Sequence, residues 1–355
     1  MKVSFVLPSS PKTPTGGTKV IYEYANFLAS HKYEIHLYFY AGSFLQKVKI
    51  PNKLRHYIAK YEYLIRRPSW FKLDYRIKKH IFFDYYADWL QDGDIVVATG
   101  IDTARPVYEA NEQKGKKMYL IQDFENWSRP TEMVYASYKY NMTNIVVSNW
   151  LKEIVEKTSK KEAVLLSNSI NQKIFYFSTP LKNRKKHSIV FQYRSQPYKG
   201  GQYALKAIKI LKQKYTDLEV NIISIEKKNK MIPNWCNYIY NAKPEAVAKV
   251  NNNSTVFIST SVDDGFGLPG LEAMACGCAF ASFKYKGVNE YAVDGVNALL
   301  SPVKDVDKLV ENVELLFEND KIRSKIVANG ISTAKRRNIE NNGQLFMEII
   351  NRLTD

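Results

Sequence analysis

Two acidic residues bracket a glycine-rich segment in the second half of the chain. Asp264 and Glu272 stand with seven residues between them, and Gly265–Gly270 lies within that interval. The apolar run Val256–Ser259 precedes them and is typical of a buried strand. Pro269 suits the first turn of a helix, because the N–H that proline lacks would be unpaired there. Backbone donors at the amino end of a helix bind anions, most often phosphate, so the segment predicts a phosphate-binding loop.

Two further motifs follow other predicted strands. Arg194 and Lys199 come after Ser188–Tyr193, and the pair Gly16–Gly17 comes after Lys2–Leu7. Ligands of open parallel sheets bind outside the carboxyl ends of the strands. An arginine fork and a lysine point charge suit a diphosphate, and glycines let the backbone approach one closely. Taken singly, a surface cation pair and a ligand-free turn remain alternatives. Together, the three motifs predict the cleft of a two-domain nucleotide-sugar enzyme.

A dinucleotide fold is the competing interpretation of the glycines. The segment Gly265–Gly270 matches the G-x-G-x-x-G pattern, which requires an acid near the end of the next strand to hold a ribose. The next predicted strand, Ala279–Phe283, ends at Lys284, and Glu290 falls beyond it. An NAD-type oxidoreductase is therefore the weaker alternative.

Strand-like and helix-like segments alternate along the chain and predict an α/β protein. The predicted strands are Lys2–Leu7, Glu34–Tyr40, Asp94–Ala98, Lys117–Gln122, Ile145–Val147, Ala163–Leu166, Ser188–Tyr193, Glu219–Ser224, Val256–Ser259, Ala279–Phe283 and Asn297–Leu300. The predicted helices are Lys19–Ser30, one N-capped by Ser148, Gly200–Tyr215, Pro244–Asn251, and those from about Val306 onward. The charged stretch 182–187 follows a proline and is typical of a linker. We expect two α/β domains with a cleft between them.

Composition sets the broad class of the protein. The chain has 355 residues, 45% of them apolar and 25% charged, which suits a soluble protein with two sizeable cores. No apolar run approaches the roughly 20 residues that span a bilayer. The run before Pro8 is too short for a secretory signal. Cys236, Cys276 and Cys278 cannot close a disulfide framework and predict reduced thiols in the cytosol. The five histidines lack zinc spacing, so we expect no metal site.

The net charge of +17 predicts an anionic partner, with lysine-rich solubility as the alternative. No signature of specific nucleic-acid binding is present. Residues 43–91 interrupt the alternation and mix cations with aromatic rings. The cations are Lys53, Arg55, Lys60, Arg66, Arg67, Lys72, Arg76, Lys78 and Lys79, and the rings are Tyr57, Tyr61, Tyr63, Trp70, Phe71, Tyr75, Phe82 and Phe83. The mixture suits an anionic membrane surface. The alternative is a helical insertion whose rings pack inward.

The segment Asp264–Gly277 closely resembles the acid–seven–acid motif of the family 4 retaining glycosyltransferases, which have the GT-B fold. Arg194 with Lys199 is similar to the diphosphate pair of that family. The segment 168–171 with Phe175 resembles the stretch before its interdomain crossover, and 287–290 and 294–297 resemble the stretch after the motif. The resemblance covers roughly the whole chain and is strongest over 188–300.

The resemblance implies roles for individual residues. Glu272 would hold the ribose hydroxyls of the donor nucleotide, and Asp264 would contact the donor sugar. Arg194 and Lys199 would neutralise the leaving diphosphate. The remaining donor contacts would come from backbone N–H groups of Gly265, Phe266, Gly267 and Leu268, from Gly16 and Gly17 of the other domain, and, for the base, from the stretch around Tyr240 and Asn241.

Two departures from the family pattern stand out. The first acid of the motif is usually glutamate, whereas Asp264 is one methylene shorter. The family also usually has a histidine in the N-terminal domain, after a strand. Here Lys117–Gln122 is followed by Asp123, our candidate for the place of the histidine, with helix N-capping as the alternative. The sequence 122–127 resembles a subgroup that includes bacterial rhamnosyltransferases of surface-polysaccharide assembly.

The resemblance implies a GT-B enzyme in three parts: an acceptor-side domain over 1–178, a nucleotide-sugar-binding domain over 179–334, and a C-terminal helix over 335–355 that packs on the first domain. It implies a retaining hexosyltransferase that needs no metal or cofactor. The donor would be a UDP- or dTDP-linked hexose or deoxyhexose, and the acceptor a glycan or lipid-linked glycan of the cell surface. We expect a cytoplasmic protein, with peripheral contact to the inner membrane face as an option. A glycosidic phosphorylase is a further alternative.

Overall fold

The computed structural model describes residues 1–44, 50–84 and 89–354. The chain divides into two compact units: an N-terminal unit, Met1–Ser167 with Ile339–Asp355, and a C-terminal unit, Asn168–Asn338. The sequence-based limits were residues 178 and 334. None of the described helices is long and apolar enough to cross a membrane.

The N-terminal unit contains a parallel sheet with seven strands among the residues described. They are β1 (Lys2–Leu7), β2 (Glu34–Tyr40), β3 (Lys78–Phe82), β4 (Ile95–Ala98), β5 (Lys116–Ile121), β6 (Thr143–Val146) and β7 (Val164–Leu165), in the order β3-β2-β1-β4-β5-β6-β7. The helices are α1 (Gly16–Ser30), α2 (Asn52–Lys60), α3 (Ile101–Glu109), α4 (Thr131–Tyr138), α5 (Asn149–Ser159) and, from the end of the chain, α11 (Ile339–Thr354). The ring of Phe346 in α11 lies 4.8 Å from that of Tyr24 in α1, so the last helix completes this core.

The C-terminal unit contains a second parallel sheet, with six strands in the described part of the chain. They are β8 (Ser188–Gln192), β9 (Glu219–Ser224), β10 (Asn237–Tyr240), β11 (Val256–Ser259), β12 (Ala279–Phe283) and β13 (Leu299–Ser301), in the order β10-β9-β8-β11-β12-β13. The helices are α6 (Gly201–Lys214), α7 (Pro244–Asn253), α8 (Leu268–Ala275), α9 (Val306–Glu318) and α10 (Asp320–Arg336). The two sheets confirm the predicted α/β class.

The predicted strands are all present, and their ends shift by no more than two residues. Strands of parallel sheets are buried on both faces, so they read as continuous apolar runs that are easily found. The edge strands β3 and β10 were not predicted, because the first is Lys-Lys-His-Ile-Phe and the second Asn-Tyr-Ile-Tyr, and both lack such a run. Helix α1 begins at Gly16, three residues before its predicted start. Ser148 occupies the N-cap position of α5, but its hydroxyl makes no capping bond.

The predicted linker at 182–187 is a structural part of the C-terminal unit instead. Arg184 is buried there, and its guanidinium group donates to several backbone carbonyls. These belong to Thr179, Asn251, Ser254, Cys276 and Gly277. A planar guanidinium group has five N–H donors, which explains how one side chain can serve so many acceptors.

The region 43–91, apart from 45–49 and 85–88, which lie outside the described residues, contains both rings that pack inward and rings that are exposed. Its strand β3 pairs in parallel with β2, so the insertion extends the sheet. Trp70 and Phe71 pack on Tyr22, with ring centroids 5.7 and 5.3 Å away. Other rings, led by Tyr75 at 93% exposed, face solvent.

Candidate functional site

The loop after β11 is organised by the carboxylate of Asp264. Its Oδ1 accepts hydrogen bonds from Phe266 N at 3.3 Å and from Gly267 N at 3.1 Å. A short acidic side chain commonly binds the backbone two or three residues ahead in this way and fixes a turn. Gly267 then adopts a left-handed φ of 85° and becomes the N-cap of α8. A side chain would not fit there, because a Cβ atom would lie 1.9 Å from Tyr285 Oη.

Lys199 and Asp264 are brought together by two loops that are distant in sequence. Lys199 Nζ lies 2.6 Å from Asp264 Oδ2, and both side chains are about three-quarters buried, with 27% and 21% exposed. The loops are held by backbone bonds, since Val262 N and Asp263 N both donate to Tyr198 O. The sequence predicted that these residues share a site, but not that they form an ion pair.

Gly200 explains why the Lys199 loop fits so closely against β11. Its φ is 67°, a left-handed conformation that glycine adopts without strain. A Cβ atom at Gly200 would lie 1.8 Å from Thr260 O, and the Thr260 hydroxyl donates to Gly200 O at 2.9 Å. The short turn Pro197–Lys199 therefore presses directly on the end of β11.

Arg194 follows β8 and lies beside an acidic residue that the sequence did not single out. Its Nη1 donates to Tyr193 O at 2.9 Å. Burial lowers the pKa of Arg194, and the nearby charge of Glu226 acts in the opposite direction. Glu226 also accepts from Ser195 N, at 3.1 Å to each carboxylate oxygen. The sequence feature that could have identified Glu226 was its position just after β9, the strand that lies next to β8 in the sheet.

Glu272 lies one turn into α8, where 7% of the residue is exposed. The amino end of the helix is braced by two buried tyrosines that were also not predicted. Tyr291 Oη donates to Gly267 O at 2.7 Å, and Tyr285 stands against Gly267. Burial raises the pKa of both phenols, so they remain neutral donors. The two tyrosines thus fix Gly267, and with it the loop N–H groups and the helix that contains Glu272.

Tyr240 and Asn241 end the edge strand β10. Tyr240 is 51% exposed, and Asn241 has a left-handed φ of 52°, with its N–H bonded to Ser224 O. Tyr238, earlier in the strand, donates to Glu226 O at 2.7 Å. The site residues that follow β10, β9, β8 and β11 therefore lie at one edge of the sheet, because parallel strands end on the same side.

In the N-terminal unit, the remaining predicted residues follow β1 and β5. Gly16 and Gly17 form the first turn of α1, and a Cβ atom at Gly17 would lie 3.3 Å from the Gln122 amide. Asp123 Oδ1 accepts from Phe124 N at 2.9 Å. Its predicted alternative role as a helix N-cap is wrong, because the next helix, α4, has Pro130 at that position.

Several other features concern ions and thiols. Among residues 1–44, 50–84 and 89–354, no group of three or more His, Cys, Asp and Glu side chains is placed to hold a metal ion. His36 and His80 form a hydrogen-bonded pair across β2 and β3, with ring nitrogens 3.0 Å apart. The three cysteines are buried free thiols.

Glu290 lies in the turn Lys286–Glu290 beyond β12, away from the strand end where a dinucleotide fold needs its acid.

Sequence comparison relates the C-terminal unit to glycosyltransferases. Residues 172–333 match the family model for glycosyl transferases group 1. The chain is 25% identical over 212 residues to an uncharacterized glycosyltransferase of Methanocaldococcus jannaschii, a match that covers 56% of this chain and 57% of that protein. It is 25% identical over 107 residues to the N,N'-diacetylbacillosaminyl-diphospho-undecaprenol alpha-1,3-N-acetylgalactosaminyltransferase of Campylobacter jejuni, covering 30% of this chain and 28% of that protein. The chain thus matches little more than half the length of these relatives, or less.

Structural comparison extends to both units. The Anabaena protein HepE, solved in complex with UDP and glucose, has a TM-score of 0.75 and 14% identity. The similarity covers 99% of this chain and 100% of HepE. At that identity it shows the fold alone, and the fold is GT-B, with two Rossmann-like domains.

Proposed function

We propose that this protein is a retaining, metal-independent glycosyltransferase that moves a hexose or deoxyhexose from a UDP- or dTDP-linked donor to a glycan or lipid-linked glycan of the cell surface. The observation that carries the proposal is the Lys199–Asp264 pair, at 2.6 Å, beside the amino end of α8. This pair lies within the segment matched by group 1 glycosyltransferases.

The donor diphosphate is the group that the cations would serve. In the transfer, the bond between the sugar C1 atom and the phosphate oxygen breaks, and its electron pair goes to the diphosphate. The acceptor oxygen bonds to C1, and its proton passes to the leaving phosphate. Fixed cations and N–H groups aimed at this growing charge lower the barrier, and loss of one such group typically costs about 10²–10³ in rate. An ammonium group has three N–H donors, so Lys199 can serve a carboxylate and a phosphate oxygen together.

The other site residues have proposed roles in holding the donor. Glu272 would accept from the ribose hydroxyls, and the exposed ring of Tyr240 would meet the base. Phe266 N and Gly267 N already bond to Asp264, so Asp264 would act on the sugar partly through the loop that it shapes. Gly16, Gly17 and Asp123 are proposed donor contacts of the N-terminal unit. HepE, with its bound UDP and glucose, supports a UDP-sugar as the first donor to test.

The proposed acceptor rests on the relatives. The Campylobacter enzyme is named for an acceptor on diphospho-undecaprenol, a membrane lipid. A lipid-linked acceptor requires the enzyme to work at a membrane surface, so we also propose a cytoplasmic protein that contacts the inner membrane face. No specific nucleic acid is proposed as a partner.

The outer face of α2 suits such a contact. Leu54 and Tyr57 in α2, with Tyr61 and Ile65 in the π-helical turn Tyr61–Arg66, follow a helical spacing and are 48–74% exposed. Lys53 and Lys60 are exposed on the same helix. Glu62, the only acid of residues 52–66, lies in the π-helical turn, is buried, and pairs with Arg66 and Arg67. An amphipathic helix with apolar side chains beside cations binds anionic lipid surfaces.

The basic stretch 66–79 suits a membrane contact less, because Arg67 is buried and Lys78 pairs with Glu34.

A donor screen tests the proposed function. UDP-glucose, dTDP-glucose, GDP-mannose and NAD would be added separately, and the melting temperature measured, since a ligand that binds only the folded state raises it. We expect a shift with a UDP- or dTDP-sugar, and release of the nucleotide product when an acceptor is present. Lys199→Ala should lose at least about 10²-fold in transfer rate. Lys206→Ala, an exposed lysine on α6, is the matched control and should keep the wild-type rate. Full activity of Lys199→Ala, or a shift with NAD alone, would refute the proposal.

A further inference from the structure

The residues after β5 form a loop that is fastened to the first turn of α3 at two points. Glu125 Oε2 accepts a hydrogen bond from Ile101 N at 2.6 Å. Arg129 Nε donates to Asp102 Oδ1, also at 2.6 Å. Between these anchors the loop is closed on itself, because Ser128 N and Arg129 N both donate to Glu125 O. The segment 125–129 is therefore fixed at each end.

This loop stands at the carboxyl edge of the middle of the N-terminal sheet. Strands β1, β4 and β5 are neighbours there, and ligands of open parallel sheets bind at that edge. Asp123 lies two residues before the first anchor. Trp127, between the anchors, is 55% exposed. Gly100, at the end of β4, makes room for the carboxyl group, since a Cβ atom there would lie 3.3 Å from Glu125 Oε1.

We propose that Glu125 is a positioning residue whose carboxyl group holds the loop that carries Asp123, and that its protonation sets how firmly the loop is held. The contribution to transfer rests on the proposed function, in which Asp123 faces the sugar. The anchoring itself does not, because it depends only on the Ile101 bond and the surroundings of the carboxyl group.

The surroundings of Glu125 favour its neutral form. Burial raises the pKa of Glu125 to about 7, and the negative charges of Asp123 and Asp102 add to the rise. The bond from Ile101 N acts in the opposite direction. The other charged or titratable groups around it are Tyr119 of β5, Tyr138 of α4, and Arg129, which is paired with Asp102.

The direction of the pH effect follows from linkage. A carboxyl group in the open loop would titrate near its ordinary pKa of 4.5, whereas in the anchored loop the pKa is about 7. The anchored state therefore binds the proton more tightly, and it loses stability as pH rises from 4.5 to 7. Above pH 7 both states are ionised and the loss is complete. Between pH 6 and 8, the equilibrium constant for opening should rise about tenfold.

Hydrogen exchange at pH 6 and 8, corrected for the intrinsic rates, measures that opening. Peptides that contain the amide of Ile101 report it directly, because opening breaks the bond from Ile101 N to the Glu125 carboxyl group. In the wild type we expect protection to fall about tenfold between the two pH values. Glu125→Gln keeps an acceptor oxygen and cannot ionise, so its protection should be equal at both. Glu132→Gln, which changes an exposed acid on α4, should behave as the wild type.

A second variant and an activity profile complete the test. Glu125→Ala removes the acceptor of the Ile101 bond and should leave the Ile101 amide poorly protected at both pH values, while circular dichroism shows a folded chain. With a donor that turns over, kcat/KM of the wild type should fall as pH rises towards 7 and level off above it, and the Glu125→Gln profile should lack that fall. An unchanged pH dependence of exchange in Glu125→Gln, or identical activity profiles, would overturn the proposal. Expected exchange results in a protein that transfers no sugar would refute the proposed function and leave the anchor standing.

Discussion

The carboxylate of Asp264 serves two kinds of partner at once. Its Oδ2 faces Lys199, and its Oδ1 holds the backbone of Phe266 and Gly267. An aspartate has the length that such a turn requires, since its side chain reaches N–H groups two and three residues ahead. Replacement of the usual glutamate by a shorter acid is therefore consistent with a loop whose shape depends on this side chain.

Gly267 is the residue at which that loop is least tolerant of change. Gly267→Ala places a Cβ atom against Tyr285 Oη in addition to the left-handed strain. The strain alone costs roughly 1–2 kcal/mol, and forced repacking adds about 1–3 kcal/mol. We expect the free energy of unfolding to fall by about 2–5 kcal/mol, as measured by urea denaturation.

Gly295 provides a matched control for Gly267. Its φ of 68° is also left-handed, but no described atom lies within 4 Å of the position that a Cβ would take. Gly295→Ala should therefore cost only the roughly 1–2 kcal/mol of backbone strain. Equal losses in the two variants would show that Tyr285 does not brace the loop.

At the scale of elements, Arg184 ties together the segments that precede the site. Its guanidinium group donates to carbonyls at the end of α7, before β11 and after α8. Helix ends leave carbonyl groups without partners inside the helix, and those that are buried need donors from elsewhere. One guanidinium group supplies several of them here.

Replacement of Arg184 should therefore destabilise the C-terminal unit. Arg184→Lys keeps the charge but loses the planar fork, so buried carbonyls lose their donors, each at a cost of about 1–3 kcal/mol. We expect a loss of at least about 3 kcal/mol in the free energy of unfolding by urea denaturation. Lys182→Ala, two residues earlier and exposed, should change it by less than about 0.5 kcal/mol. A near-neutral Arg184→Lys variant would mean that these carbonyls find other donors.

The elements and residues differ in how far they could be predicted from sequence. Most strands were found because burial on both faces leaves a local apolar pattern, and β3 and β10 were missed because partly exposed edge strands lack it. Arg184 looked like part of a charged linker, since no local pattern reveals that carbonyls from two distant segments, 251–254 and 276–277, converge on it. Glu226 and Glu125 were missed for the same reason: their partners, Ser195 and Ile101, are close only in the fold.

At the scale of the whole molecule, the cations that give the net charge of +17 differ in whether a nearby acid neutralises them. Many cations are neutralised locally, as Arg76 is by Asp74 and Lys214 by Glu314. A weak surface pair contributes little to stability, but it does remove net charge from that part of the surface. The α2 face differs, because exposed lysines accompany exposed apolar side chains there and its acid is turned inward.

Binding to vesicles tests this face as the membrane contact. The full chain should sediment with vesicles that contain an anionic phosphatidylglycerol fraction, and binding should weaken with salt, because each lysine near such a surface contributes about 1 kcal/mol. Tyr57→Ser with Ile65→Ser removes two exposed apolar side chains and should weaken binding at least about tenfold, since burial of such a side chain is worth roughly 1.5–3 kcal/mol. Tyr75→Ser is the control, because Tyr75 is 93% exposed but lies outside the helical residues 52–66. Equal weakening by the control, or no binding to anionic vesicles, would rule out α2 as the contact, because the predicted affinity comes from that one face.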